Sequence, residues 1–321
     1  MRAASTCAMG VPGSKSMFCS LQIGMIFRLG VLPVLWAILC FAHAPFGSAQ
    51  AAHEGFMVAG AEMNPGPDSS LAQGQTVMLD AWFNSQQRVN AAGQKEYFHY
   101  KWNDSKDSGY STLGQIFTDF GAKLDTLYTA PTLETLQRAQ YYIIVSPDIP
   151  VKNPHPNYVQ PADAEQVVAW VKQGGVLVLM ENDPPNADID HLNLIADRFG
   201  LHFNDVLSHH VIGDDFASGQ IKVEGGGPIF HDPHTLYMKD TCTLSLKAPA
   251  RPLLEDKGDI MMATASYGEG TVVAVVDPWL YNEYTHSNKT QPVQDNYAAG
   301  KEFVRWLLKQ RPHGSGTSSE P

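Results

Sequence analysis

Two five-residue runs, Tyr141 to Val145 and Val176 to Met180, are apolar at every position. A strand with no polar face has both faces covered, as a central strand of a parallel sheet must. Between the runs, Pro161-Ala162-Asp163-Ala164 opens a helix whose apolar face carries Val167, Val168, Trp170 and Val171. Gly174-Gly175 stops that helix, because glycine takes a left-handed backbone cheaply. Strand, helix and strand make a βαβ unit, and right-handed crossovers place helices on both faces of the sheet. Thr76 to Asp80 reads as another buried strand, Gly109 to Phe120 as an amphipathic helix and Lys123 to Leu127 as a short strand. Pro131-Thr132 opens a helix through Leu136, and Ile189 to Phe199 forms one more. From Leu201 onward glycines, prolines and short strands predict an antiparallel excursion. Ile260 to Tyr267 and Gly270 to Asp277 then flank a Gly-Glu-Gly turn, and Val293 to Leu308 closes with a helix. The expected fold is an α/β, flavodoxin-like three-layer sandwich with a mostly parallel sheet over 76–310 and a β-rich antiparallel insertion at 201–258.

The first 50 residues read as an export leader. Arg2, Lys15 and Arg28 supply positive charge, Gly30 to Ala44 is apolar, and small residues follow at Gly47, Ser48, Ala49 and Ala51. Pro33 and Pro45 break the apolar run, so a stable membrane span is not expected after cleavage, although an uncleaved anchor is the alternative. Met17 and Met25 are further possible starts. The expectation is a periplasmic or extracellular protein, with 51–75 flexible and 311–321 a disordered tail. Three of the four cysteines lie in the leader, which leaves Cys242 alone in an alternating strand as a small buried hydrophobe. One cysteine forms no internal disulfide and no thiolate cluster, so stability comes from packing, for which 44% hydrophobic residues suffice. The formal charge of −11 sets aside nucleic acid and anionic lipid as partners.

In parallel sheets ligands bind outside the carboxyl ends of the strands. Four predicted strands end in polar residues there: Asp80, Asp148, Glu181-Asn182-Asp183 and Asp277. The loops beyond add His99, Lys101, Trp102, Asp104, His191, Trp279, Tyr281, Asn282, Glu283 and Tyr284. Carboxylates and amides hydrogen-bond sugar hydroxyls while aromatic faces stack on the ring's C–H side. Asp80, Glu181, Asp183 and Asp277 are thus candidate acids and bases for glycosidic cleavage, or polar contacts for sugar binding. Acids at such positions also cap helices and brace loops. His209-His210 and His231-Asp232-Pro233-His234 lack helical metal spacing and read as surface histidines. No cofactor or metal site is expected, with calcium at the carboxylate-rich edge as the exception to test.

The segment Trp170-Val171-Lys172-Gln173-Gly174-Gly175-Val176-Leu177-Val178-Leu179, and Tyr267-Gly268-Glu269-Gly270 running on to Asp277, resemble the class I glutamine amidotransferase-like fold in its non-amidotransferase branch. Asp80-Ala81-Trp82-Phe83-Asn84, His99 to Asp104, Pro156 to Pro161 and Asp277 to Tyr284 resemble a domain attached to bacterial unsaturated rhamnogalacturonyl hydrolases. The likeness spans about Thr76 to Leu308. It implies a place in pectin or rhamnogalacturonan use, with an acidic oligosaccharide as ligand and a glycoside hydrolase as possible partner. Amidotransferases carry a cysteine nucleophile where this chain has Glu181-Asn182-Asp183, so glutamine hydrolysis is not implied. Nor is there a pattern for the hydrolase's all-helical catalytic toroid. Three functions stay open: carbohydrate binding, a glycan-active hydrolase or lyase, and a protein-interaction module.

Overall fold

The computed structural model describes residues 68–286 and 295–310. The expected leader, most of the segment 51–75 and the tail from 311 lie outside the described residues. Within the segment expected to be flexible, residues 68–74 form consecutive turns in which Ala72 is buried and its amide donates to the Phe120 carbonyl at 2.8 Å.

The elements follow in chain order. β1 is Thr76–Asp80, β2 Gln87–Val89, β3 Lys95–Tyr97, α1 Ser111–Asp119, β4 Lys123–Leu127, α2 Leu133–Leu136 and β5 Tyr141–Val145. Then come α3 Pro161–Lys172, β6 Val176–Met180, α4 Ile189–Ala196, β7 Leu201–Ser208, β8 Gln220–Val223, β9 His234–Tyr237 and β10 Thr241–Leu246. β11 Arg251–Asp256, β12 Asp259–Tyr267, β13 Gly270–Val275, α5 Asn282–His286 and α6 Asn296–Leu308 complete the chain.

The main sheet runs β11-β12-β13-β6-β5-β1-β4. β4, β1, β5, β6 and β13 are mutually parallel, and β12 and β11 add an antiparallel edge. Taken in chain order the five parallel strands stand 2-1-3-4-5, the order of doubly wound flavodoxin-like sheets. β5 and β6 are buried at every position, as their unbroken apolar sequence requires. α1, α5 and α6 pack together as one group, and α2, α3 and α4 as another, which supplies the two outer layers.

Local chemistry sets the joints. Thr132 caps α2: its hydroxyl accepts from the Thr135 amide and its own amide donates to Thr135 Oγ1, a capping box. Gly174 ends α3 at φ +105°, and a Cβ on Gly175 would run into the Trp170 indole. The excursion from β7 to β11 is antiparallel as expected: β10 pairs with β7, β8 with β9, and β11 rejoins the main sheet through β12. Asn296 at the start of α6 clamps it in place, accepting from the Tyr237 amide (2.8 Å) and donating to the Tyr237 carbonyl (3.1 Å). Cys242 is fully buried in β10.

Candidate functional site

Because the five strands are parallel, their carboxyl ends share one rim. The Ser146 amide after β5 donates to the Met180 carbonyl of β6 (2.8 Å), and the Glu181 amide donates to the Val275 carbonyl of β13 (2.9 Å). Asp80, Asp148, Glu181 and Asp277 are therefore neighbours along one edge, though they serve mainly to brace it.

Asp80 Oδ1 accepts from the amides of Phe83 (2.7 Å) and Asn84 (3.3 Å), and Oδ2 accepts from the Tyr142 hydroxyl (2.7 Å). Burial pushes its pKa up to about 6, against the pull of that hydroxyl and of Lys101. Asp148 takes the Ser85 amide (2.8 Å) and the side-chain amides of Gln86 (2.8 Å) and Asn153 (2.9 Å). Glu181 is fully buried; Oε1 accepts from the Asn182 amide (2.8 Å), Oε2 has no partner among the described residues, and burial pushes the carboxyl well above its ordinary pKa. Asp277 is held the same way, with the Lys239 amide at 3.2 Å as its contact. Burial of this kind disfavours the charged form of each carboxyl.

Several loop residues are also structural. Lys101 is buried and donates to Asn84 Oδ1 (3.0 Å) and the His99 carbonyl (3.1 Å); burial depresses its pKa to about 8 despite Asp80, Asp148 and Asp104. Burial acts to raise Asp104, but bonds from the His99 amide, Arg88 and the Lys106 amide outweigh it and hold the carboxyl low. Asn282 braces the start of α1, accepting from the Thr112 amide (3.0 Å) and donating to the Asp104 carbonyl (3.0 Å). His191 sits in the first turn of α4 beside Asp188 (2.8 Å), stacked on Tyr158, and lines neither cavity described below.

Both tryptophans expected to stack on sugars turn inward. Trp102 donates to the Asp125 carbonyl of β4 (3.0 Å) and packs edge-on against Phe117. Trp279 is completely buried against Phe303 of α6. Each indole is the largest apolar surface in its loop, and the neighbouring helix covers it. Two of the expected surface histidines are buried as well: His209 pairs with Asp256 (2.7 Å) and His234 with Asp295 (2.6 Å).

What remains on the rim is a crevice of two adjoining cavities. The first, of about 230 Å³, opens over β6 and β13. Of the expected residues, His99, Asn182, Asp183, Tyr281, Glu283 and Tyr284 line it. The hydroxyls of Tyr100 and Tyr281 meet at 2.7 Å, and Asn182 Nδ2 reaches both, at 3.3 and 3.4 Å. Burial raises the Asp183 carboxyl, which accepts from Asn186 Nδ2 at 2.8 Å. Burial, then Lys152 and Lys101, drive His99 down to about 3, so its imidazole is neutral. His99, Tyr100 and Asp240, all in this wall, stand at φ 65°, 54° and 50°. Three non-glycine residues in left-handed conformation beside one crevice are backbone strain of the kind found at ligand sites.

The second cavity, of about 380 Å³, lies over β1 and β5 and includes Trp82, Gln86, Gln87, Tyr97, Lys152 and His155 in its wall. β1 connects onward to β4 on one side and β5 to β6 on the other, so this is the switch point of the sheet, where such folds bind ligands. Lys152 lines both cavities. The sequence reading missed Tyr100, Trp82, Lys152, Lys239 and Asp240. Trp82 and Lys152 stand just beyond Asp80 and Asp148, a signal that was present. Lys239-Asp240 reaches the rim on the turn between β9 and β10, for which no local pattern exists. Among the described residues no three His, Cys, Asp or Glu side chains gather to hold a metal ion, and no helix is long and apolar enough to cross a membrane.

Fold and rim together define a doubly wound α/β protein with a strand-end crevice. No family model and no curated protein matches the chain. Among solved structures it is similar to the mmIFT52 N-terminal domain at 16% identity, covering 73% of this chain and 97% of that one with a TM-score of 0.54, a likeness of fold. The cytoplasmic protein STM3548 from Salmonella typhimurium matches at 13% identity over 74% of this chain and 99% of that one, TM-score 0.48. The exo-beta-1,4-mannosidase Op5Man5 from Opitutaceae bacterium strain TAV5 matches at 13% identity over 74% of this chain but only 36% of the mannosidase, TM-score 0.42.

Proposed function

We propose that this protein is an exported carbohydrate-handling protein that binds an acidic oligosaccharide of the rhamnogalacturonan type in the crevice over β1, β5, β6 and β13. The observation that carries the proposal is the make-up of the crevice wall. Tyr100, Tyr281 and Tyr284 stand beside Asn182, Asp183 and Lys152 on one side, and Trp82 and Tyr97 stand beside amide side chains on the other. Aromatic rings with amides and a few charges suit a hydroxyl-rich ring with apolar faces. Export rests on the leader sequence. The pectin assignment, and a glycoside hydrolase as companion, rest on the resemblance to the amidotransferase-like domain attached to rhamnogalacturonyl hydrolases.

Binding without cleavage is favoured because Asp80, Glu181 and Asp277 line neither cavity. Acid–base cleavage of a glycoside needs two carboxyls within about 5–10 Å flanking one bond. A hydrolase or lyase is the second reading, and the raised carboxyl of Asp183, in one wall with Asp240 and Glu283, supports it. The test is a thermal-shift and product screen against rhamnogalacturonan fragments, with and without calcium. A fragment at a hundred times its Kd stabilises the fold by about 2.7 kcal/mol. Stabilisation with no product supports binding, and product formation supports the enzyme. Silence across the panel overturns both and favours an interaction module.

A further inference from the structure

We propose that the crevice is directional: the cavity over β1 and β5 takes a uronate residue, its carboxylate on Lys152 and its ring on Trp82, and the cavity over β6 and β13 takes the adjoining neutral sugar. This rests on the oligosaccharide ligand proposed above and assigns its polarity. The charges lining the two cavities differ. Over β6 and β13 the wall carries Asp183, Asp240 and Glu283, and its Lys239 is already paired with Asp240 at 3.0 Å. Among the described residues of that wall three carboxyls stand against two lysines, Lys239 and the boundary residue Lys152, so a carboxylate there meets a net acidic lining. Over β1 and β5 no aspartate or glutamate lines the cavity.

Lys152 Nζ makes no hydrogen bond or ion pair among the described residues. Burial lowers the pKa of Lys152, and the carboxyls that oppose this are Asp183, Glu181 and Asp148. Asp148 has its oxygens taken by Ser85, Gln86 and Asn153, Glu181 accepts from the Asn182 amide, and Asp183 accepts from Asn186 Nδ2. The ammonium is therefore available to an incoming anion. The side chains of Gln87 and His155 are likewise without hydrogen bonds among the described residues, so the same cavity offers free polar groups to ring hydroxyls. Trp82 is half-buried, which fixes its indole while leaving part of it in the cavity wall.

The test is titration of the full protein with a rhamnogalacturonan tetrasaccharide and with the same tetrasaccharide methyl-esterified at its uronates. Wild type is expected to prefer the acid form by about ten-fold, the worth of a charge-assisted hydrogen bond. Lys152→Gln removes the preference by lowering affinity for the acid form about ten-fold more than affinity for the ester, while Trp82→Ala weakens both forms alike. The unliganded melting temperature of each variant reports that it folds, and the acid-against-ester comparison on wild type needs no variant. Equal affinity of wild type for the two forms, or equal loss of both in Lys152→Gln, overturns the polarity and leaves oligosaccharide binding standing. No binding of either form by wild type overturns both.

Discussion

Lys101→Met keeps the aliphatic stem of a buried side chain and deletes an ammonium that water cannot reach. Lys101 is 1% exposed. Burial lowers its pKa from 10.5 to about 8, the attraction of Asp80, Asp148 and Asp104 notwithstanding. At neutral pH that drop corresponds to about 3 kcal/mol of cost for carrying the charge into the fold. The folded protein releases the proton first as pH rises, so the unfolded chain binds more protons between pH 8 and 10.5, and stability climbs with pH across that window. Between pH 7 and 9.5 the gain from this one group is about 2 kcal/mol. Methionine abolishes the gain. It also strips Asn84 Oδ1 and the His99 carbonyl of their donor, at about 1–3 kcal/mol each, a loss that does not vary with pH. Urea unfolding followed by circular dichroism at pH 7, 8, 9 and 9.5 separates the two effects. The wild type should gain about 2 kcal/mol on the variant over that range; parallel stability curves would refute the claim that a desolvated cation lies under the crevice floor.

Asp80→Asn gives the opposite slope. The folded carboxyl, raised to about 6, keeps its proton after the unfolded one has lost it, so wild type loses stability as pH rises from about 4 through 6. The asparagine variant should escape about 2 kcal/mol of that loss between pH 4 and 7, read from urea midpoints. In Gly270→Ala the new Cβ runs into the carbonyls of Val171 and Gly175, and a fall in stability of about 2–3 kcal/mol is expected in thermal unfolding. Tyr281→Phe deletes a hydroxyl bonded to Tyr100 and within reach of Asn182, and should weaken oligosaccharide binding about five-fold by calorimetry while costing about 1 kcal/mol of stability.

The strands were legible because their signals are local. β1, β4, β5 and β6 fall on the residues expected from apolar runs punctuated by glycine, proline and aspartate. The shared rim was legible too, since parallel strands leave their carboxyl ends no other place. Three-residue strands were not: β2 and β3 have no buried residue, and their sequences Gln-Arg-Val and Lys-Glu-Tyr carry no apolar alternation. The Asn282–His286 helix begins inside an aromatic segment that reads as loop. Side-chain direction was the main loss. Nothing in the order of residues says that Trp102 faces β4, that α6 covers Trp279, or that His209 and His234 find aspartates at positions 256 and 295. Each of these depends on packing between elements far apart in the chain, as does the arrival of Lys239-Asp240 at the crevice.

A crystal soaked with an acidic rhamnogalacturonan tetrasaccharide tests the ligand site most directly. The sugar should lie across the carboxyl ends of β1, β5, β6 and β13, with a uronate carboxylate at Lys152 and the neighbouring ring beside Tyr281. Sugar bound instead at the opposite end of the strands, such as the hollow by Trp170 and Gly174, or no sugar in crystals whose crevice is open to solvent, would contradict it.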